Sequence, residues 1–290
     1  MDIAPFDYPE RTALNVQLAD IRDAAAVERA MAGADIVVHC AASLPLSSKE
    51  EIYSTDVEGT RTLLESAARH TVARFIFMSS TSVYGISDHH RVYEDDELHG
   101  VGHYGIAKIS AERLGVFELL YDCAYSGKNF PVLGSGENSY QLLDVADLCD
   151  VIVSCATLNN EAVNDTFNVG AKVFGNMRDN FQSVLDRAGH AKHVIALPVR
   201  PVIALLKLLE SLHLSLLYQW IYETAARESF VSIDRIESKL GFAPRYSNRM
   251  ALIRNYDWYV ENRADALGKA GVTHCVPWKK GALQLTKWFF

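Results

Sequence analysis

The sequence lacks several features that mark specialised classes of protein. Its 290 residues carry a net charge of -8, so it has no basic surplus of the kind that binds nucleic acid, and we expect no nucleic-acid partner. The five cysteines form no CxxC pair and no Cys/His metal spacing. Scattered thiols in a chain of this length favour a reducing, cytoplasmic setting. Asp88–His90 has no further ligand at a useful spacing, so no metal site is predicted.

Long apolar runs are also missing. The first residues, MDIAPFDYPE, contain no apolar h-region, so no signal peptide is expected. Pro201–Ala225 is the most apolar long stretch, but charged residues interrupt it, and it predicts an amphipathic helix rather than a membrane span. The final segment, HCVPWKKGALQLTKWFF, mixes aromatic residues with lysines. That mixture suits either peripheral membrane contact or a C-terminal helix that packs on the protein.

Apolar segments of two kinds alternate along the chain. Ala34–Ser43 (ADIVVHCAAS) and Arg74–Ser80 (RFIFMSS) predict buried strands, and Glu50–His70 between them has helical spacing. Further along, DVADLCDVIVSCAT and NMRDNFQSVLDRAG predict helices, and DTFNVG predicts a strand. Strands that alternate with helices indicate βαβ units and a parallel sheet, hence the α/β class. From about Phe174 onward helices dominate, which predicts a smaller C-terminal lobe.

Hydroxyl groups cluster where the second predicted strand ends. The stretch FIFMSSTSVYG carries Ser79, Ser80, Thr81 and Ser82 in a row. They could simply satisfy loop backbone, or they could face a reacting group. In open parallel sheets ligands bind beyond the carboxyl ends of the strands, which favours the second interpretation. His39, at the end of the first strand, is interpreted as a hydrogen-bonded core histidine rather than a catalyst.

Tyr104 and Lys108 lie four residues apart in a segment with helical character. Such residues share one face of a helix, and the lysine cation would favour the phenolate form of the tyrosine. A hydroxyl from Ser80 or Thr81 could bind the same substrate oxygen. Together these groups suit proton transfer during oxidation of an alcohol or reduction of a carbonyl, with a nicotinamide handling the hydride. A lone YxxxK is a weak motif, and the alternative is an ordinary pair on a helix surface.

The order of the motifs is more specific than any one of them. DIRD, VVHCAA, TDVEGTRTLLESAA, FIFMSSTSVYG and HYGIAKISAE follow one another along the chain. This order resembles the extended short-chain dehydrogenase/reductase family, the NAD-dependent epimerases and dehydratases. Downstream, GKNFPVLGSGENSYQLLDVADLCDVI, TFNVG and ESKLGFAPRYS are similar to the substrate lobe of that family. The resemblance extends to about Asn262.

The resemblance implies an incomplete Rossmann-like, doubly wound parallel sheet with a smaller, mostly helical substrate lobe. Residues 1–170 would form the NAD(P)-binding domain, with 113–140 contributing to the substrate lobe. Residues 171–262 would form that lobe and 263–290 a tail.

The resemblance also implies a set of site residues and a cofactor, either NAD or NADP. The catalytic residues would be Ser80, Tyr104 and Lys108. Thr81, as the adjacent candidate, and Ser82 would contact substrate. Cofactor contacts are also expected of Tyr104 and Lys108, of Ala41 and Ala42 along the cofactor, of Asp20 and Ile21 near the adenine, and of Asp2 at the ribose.

The chain departs from the family pattern in two segments. No GxxGxxG precedes VVHCAA, so the glycine-rich turn that holds the pyrophosphate is not expected. After the YxxxK helix, a strand and a substrate-side loop are expected to be missing at Glu112–Arg113. We therefore expect Tyr104–Ala124 to form one helix, or two helices with a break near Gly115.

A third departure concerns the substrate. Ser139 and Tyr140 stand where sugar-nucleotide members of the family often carry an arginine. Both a nucleotide sugar and a steroid-like alcohol or ketone therefore stay open as substrates of an NAD(P)-dependent oxidoreductase or epimerase. The alternative is an inactive, truncated remnant that binds a partner or a membrane. A homodimer is a further expectation.

Overall fold

The computed structural model describes residues 1–5, 9–43, 47–85, 87, 89–99, 120–211 and 226–266. The chain divides into two compact units. The first contains Met1–Gly85, Glu97–Ser110 and Ile152–Asn159, and the second contains Ile86–Asp96, Ala111–Val151 and Asn160–Phe290.

The first unit contains a pair of parallel strands. Strand β1 (Ile36–His39) pairs with β2 (Arg74–Phe77) in a register that sets Ile36 opposite Arg74 and His39 opposite Phe77. Both strands confirm the predicted strand positions, but the prediction that they are buried is wrong, since Ile36, Val38 and Phe77 are 41%, 40% and 45% exposed. Parallel neighbours need a crossover, and the segment between them supplies a helical one.

The crossover is a helix with an unusual middle. Helix α2 (Lys49–Ile52) leads into a π-helical turn, Tyr53–Gly59, and then into α3 (Thr60–Arg69). The helix predicted over Glu50–His70 is confirmed, but the π-helical turn was not anticipated. Helix α1 (Ala24–Met31) precedes β1 and begins at Asp23, whose carboxylate accepts the N–H groups of Ala25 and Ala26.

An apolar cluster holds the helices of the first unit together. Its buried members come from α1, α3 and the segment before α1, and they are Ile21, Val27, Met31, Leu63 and Ala67.

A second pair of parallel strands lies in the second unit. Strand β3 (Phe130–Leu133) pairs with β4 (Val194–Leu197), and Phe130 stands opposite Val194. Neither strand was expected from the sequence. Pro131 weakens the strand signal of FPVL, since proline cannot donate to a ladder.

Further helices are, in chain order, α4 (Val145–Thr157), α5 (Asn160–Val163), α6 (Met177–Ala188), α7 (Val199–Ser211), α8 (Asp234–Leu240) and α9 (Asn248–Ala266). Short 3-10 turns occur at Pro9–Ala13 and Thr81–Tyr84. The helices predicted at DVADLCDVIVSCAT and NMRDNFQSVLDRAG are confirmed by α4 and α6. Helix α7 confirms the first part of the helix predicted over Pro201–Ala225.

The core of the second unit is larger than that of the first. Its buried residues come mainly from residues 120–124, β3, β4, α6 and α9. They are Leu120, Tyr121, Cys123, Ala124, Phe130, Val132, Leu142, Phe181, Val184, Leu185, Val194, Leu252 and Tyr256.

The strand predicted at DTFNVG is wrong. Residues 165–170 take part in no strand ladder. Side chains, rather than a neighbouring strand, supply hydrogen-bond partners to this backbone. The N–H of Asn168 donates to Oε1 of Glu94 at 2.9 Å. Gln141 Nε2 likewise donates to the carbonyl of Ala171 at 2.8 Å.

Some expectations lie outside the described residues. Residues 100–119, which include Tyr104 and Lys108, are among them, as are residues 212–225 and the tail from residue 267. Of the segment expected to be helical up to Ala124, residues 120–124 are described, and they are helical. No helix in the described ranges has both the length and the apolar character needed to cross a membrane.

Candidate functional site

The carboxyl ends of β1 and β2 lie side by side in the first unit. The N–H of Met78 donates to the carbonyl of His39 at 3.0 Å, so the contact continues beyond the strands. The loop after β1 carries Ala41 and Ala42, and the loop after β2 carries the hydroxyl cluster. The structure therefore brings two of the predicted groups of site residues to one edge of the sheet.

Ser80 has a local structural role in the second loop. It caps the 3-10 turn Thr81–Tyr84, and its Oγ accepts the N–H of Ser82 at 3.3 Å. Ser80 and Thr81 are partly buried, and Ser82 is buried. Part of the cluster thus satisfies loop backbone.

Gly85 ends the hydroxyl segment because no other residue fits. Its φ is +66°, and a Cβ at this position would lie 2.3 Å from the carbonyl oxygen of His99. The left-handed backbone and the close approach both require glycine.

His39 is a core histidine, as the sequence predicted. It is 2% exposed, and its Nε2 lies 2.9 Å from Oγ1 of Thr60. Its ring also packs against Phe75 and Phe77. Its interactions hold the end of β1 in place.

The residues predicted to contact the adenosine part of the cofactor lie on two neighbouring segments. Asp2 and Leu18 form a parallel bridge. The N–H of Asp2 donates to the backbone carbonyl of Gln17 at 3.0 Å, and the N–H of Ala19 donates to the backbone carbonyl of Asp2 at 2.9 Å. Asp2 Oδ1 accepts the N–H of Ala4 at 2.9 Å, and the residue is exposed. The segment that carries Asp2 is thus paired with the one that leads into Asp20.

Asp20 and Ile21 differ in their surroundings. The carboxylate of Asp20 accepts hydrogen bonds from the side chain of Arg22, which lowers the pKa of Asp20 below its ordinary value. Ile21 is buried in the apolar cluster of the first unit, so little of its side chain faces solvent.

The residues present fit a nicotinamide dinucleotide. Alanines 41 and 42, which have short side chains, follow the end of β1, and a carboxylate such as that of Asp2 can accept from ribose hydroxyls. Ser80 supplies a hydroxyl near the end of β2. The structure describes no geometry for Tyr104 or Lys108. Within the described ranges, no group of three or more Asp, Glu, His or Cys side chains could hold a metal ion.

Sequence reasoning missed Asp56, which lies on the π-helical turn. Its side chain is buried, with 7% exposed, and Oδ1 accepts the N–H of Ser43 at 2.6 Å. Asp56 belongs to TDVEGT, which supported the resemblance without a role for this residue. The sequence signal that could have identified Asp56 was its spacing of seven residues from Leu63, which places an acidic residue on the buried face of the predicted helix.

The fold and the site together define a class. Parallel strands joined by helices, with small and hydroxyl residues after β1 and β2, make this a Rossmann-like α/β protein. The model of the NAD dependent epimerase/dehydratase family matches residues 4–116.

A related chain extends the match to nearly the whole protein. The uncharacterized protein y4nG of Sinorhizobium fredii is 30% identical over 293 residues, which cover 91% of this chain and 73% of that protein. The chain belongs to the NAD-dependent epimerase/dehydratase family.

Two further proteins show the breadth of the similarity. The dTDP-glucose 4,6-dehydratase of Streptomyces niveus is 24% identical over 84% of this chain and 76% of its own length. The structure of UDP-glucuronic acid 4-epimerase from Bacillus cereus in complex with NAD has a TM-score of 0.67. It is 17% identical, and the alignment covers 87% of this chain and 84% of that one. This likeness shows the Rossmann-like fold.

Proposed function

We propose that this protein is an NAD-dependent epimerase or dehydratase that acts on a nucleotide sugar at C–OH and C=O groups. The observation that supports this most directly is that the loops carrying Ala41, Ala42 and Ser80 meet at one edge of the sheet in the first unit. The alanines and Ser80 follow the carboxyl ends of two paired strands, where this class of sheet binds its ligands.

The substrate class comes from the relatives. The dehydratase of Streptomyces niveus and the epimerase of Bacillus cereus are both named for nucleotide sugars, dTDP-glucose and UDP-glucuronic acid. We therefore favour a nucleotide sugar over a steroid-like alcohol, although Ser139 and Tyr140 replace the arginine expected at the diphosphate.

The proton-handling roles fall to three residues. Ser80 would donate its hydroxyl hydrogen to the reacting oxygen of the sugar, and Tyr104 would take the proton from that oxygen and return it. Lys108, four residues after Tyr104 in the sequence, would hold the phenol in its reactive form and bind the nicotinamide ribose. NAD, when bound, would supply the hydride chemistry.

Asp2 would select NAD over NADP. A carboxylate at the adenosine ribose accepts from its 2′-hydroxyl and repels a 2′-phosphate. We expect NADH to bind at least about tenfold more tightly than NADPH, which corresponds to roughly 1.4 kcal/mol. Asp2→Asn should reduce that preference without a loss of folded protein.

The first test is a titration of the purified chain with NADH, followed through nicotinamide fluorescence. We expect saturable binding at micromolar concentrations. The chain would then be incubated with NAD and either dTDP-glucose or UDP-glucuronic acid, and products would be separated by chromatography and identified by mass spectrometry. An epimer has unchanged mass, whereas a dehydration product has lost one water.

The control variants separate chemistry from folding. Tyr104→Phe should bind NADH but lose about 100-fold or more in turnover, since it removes the proton-transfer group. Tyr93→Phe, an exposed tyrosine in the second unit, should leave turnover unchanged. A folded chain that binds no NADH at millimolar concentration would refute the proposal and would favour a non-catalytic binding role.

A further inference from the structure

The π-helical turn contacts three segments of the proposed cofactor site. Asp56 Oδ1 accepts the N–H of Ser43, at the end of the loop after β1. Thr60, directly after the turn, contacts His39 at the end of β1. A Cβ on Gly59 would lie 2.6 Å from Cδ1 of Ile21, so the absence of a side chain allows Ile21 to pack there. Isolated π-helical turns often occur at functional sites.

Asp56 and Ser43 form a short hydrogen bond in a buried place. The distance between Oδ1 and the amide nitrogen is 2.6 Å, and the two residues are 7% and 8% exposed. A buried backbone N–H needs a partner, and a carboxylate is a stronger acceptor than a neutral oxygen. Because Cys40 and Ala41 earlier in the same loop are exposed, this bond is an anchor at the buried end of the loop.

Thr60 fixes the start of the same loop. Its hydroxyl donates to the carbonyl of Asp56 at 2.7 Å, so its oxygen is left to accept from His39. A hydroxyl has one hydrogen, and His39 must therefore carry a proton on Nε2. The loop from Cys40 to Ser43 is thus held at both ends by consecutive turns of one helix.

We propose that Asp56 is a positioning residue that holds the loop Cys40–Ser43 in the conformation that accepts the dinucleotide. It acts through the backbone of Ser43 and does not touch the cofactor itself. This inference rests on the proposed function, because it assigns Ala41 and Ala42 to the cofactor surface.

Two substitutions isolate the hydrogen bond. Asp56→Asn keeps an acceptor oxygen at Oδ1, whereas Asp56→Ala removes it. Met31→Ala serves as the matched control, since Met31 is buried in the same unit and has no hydrogen-bonding group for the loop. All three would be compared with the unchanged chain.

The first readout needs no cofactor. Amide hydrogen exchange of the peptide that contains Cys40–Ser43 should become about tenfold faster in Asp56→Ala, the size expected for the loss of one buried hydrogen bond. It should stay within about threefold in Asp56→Asn. Equal acceleration in Asp56→Ala and Met31→Ala would mean that Asp56 contributes only general stability, which would overturn the proposal.

The second readout is the NADH titration. We expect Asp56→Ala to raise the Kd about tenfold and Asp56→Asn to change it by less than about threefold. If the unchanged chain binds NADH and Asp56→Ala binds it equally well, the positioning role is refuted while the proposed function stands. If the unchanged chain binds no NADH, the proposed function fails, and the exchange experiment still decides whether Asp56 anchors the loop.

Discussion

Asn248, at the start of α9, connects three backbone segments of the second unit. It is 1% exposed. Its Oδ1 accepts the N–H of Leu142 at 2.9 Å, its Nδ2 donates to the carbonyl of Tyr140, and its own N–H donates to the carbonyl of Val173 at 3.1 Å. Replacement by alanine keeps the last of these bonds and removes the other two.

The expected cost of Asn248→Ala follows from what the substitution leaves behind. The N–H of Leu142 is buried and would lose its partner, at about 1–3 kcal/mol. The hydrogen bond to the carbonyl of Tyr140 is only partly buried, so we expect water to replace part of it. Including the small cavity, we expect the unfolding free energy to fall by roughly 2–4 kcal/mol. That corresponds to a decrease in Tm of about 5–12 °C.

The assay is thermal and urea unfolding followed by far-UV circular dichroism, with Asn262→Ala as the matched control. Asn262 is on the same helix and donates to the carbonyl of Trp258 at 2.9 Å at the surface, so its loss should cost less than about 0.5 kcal/mol. Asn248→Asp keeps an acceptor for Leu142 but loses the donor to Tyr140, and it should also destabilise the unit. A change below about 0.5 kcal/mol for Asn248→Ala would refute the reasoning.

Three further predictions concern single side chains. Gly170→Ala should lower the unfolding free energy by about 2 kcal/mol in a urea titration, because its Cβ would lie 2.5 Å from Cδ of Gln141, which two hydrogen bonds hold in place. Arg74→Met should speed hydrogen exchange in the last turn of α4, since it removes donors to the carbonyls of Cys155 and Leu158; an unchanged rate would contradict this. A hydrogen bond from Arg69 is the largest cause that lowers the pKa of Glu28 from 4.5 to about 2. This pair therefore contributes stability above pH 4.5 that is lost as the pH falls toward 2, and Glu28→Gln should flatten thermal stability over that range.

The sequence predicted the elements around the site well because their patterns are local. Strands β1 and β2 are short apolar runs bounded by small or polar residues, and α4 and α6 have clear helical periods. Strand β3 was missed because Pro131 interrupts its apolar run. DTFNVG was mistaken for a strand because its backbone partners are side chains, such as that of Glu94, which no local pattern reveals.

The crossover helix shows why part of the site was hidden from the sequence. Apolar spacing in Glu50–His70 includes Val57 and Leu64, yet these residues are 38% and 48% exposed. Asp56 and Ser66 are buried together with Leu63 and Ala67. A helix that turns apolar residues outward and polar residues inward loses part of its packing energy.

The inward position of a polar residue has a structural reason at Asp56, because its Oδ1 accepts the backbone N–H of Ser43 in the loop after β1. Local rules are expected to fail at functional positions, where one requirement of folding gives way to another. The apolar pattern therefore identified the helix correctly but not Asp56, the residue on it that binds the loop backbone at Ser43. The burial of Asp56, three residues before a glycine against which Ile21 packs, is visible only in the structure.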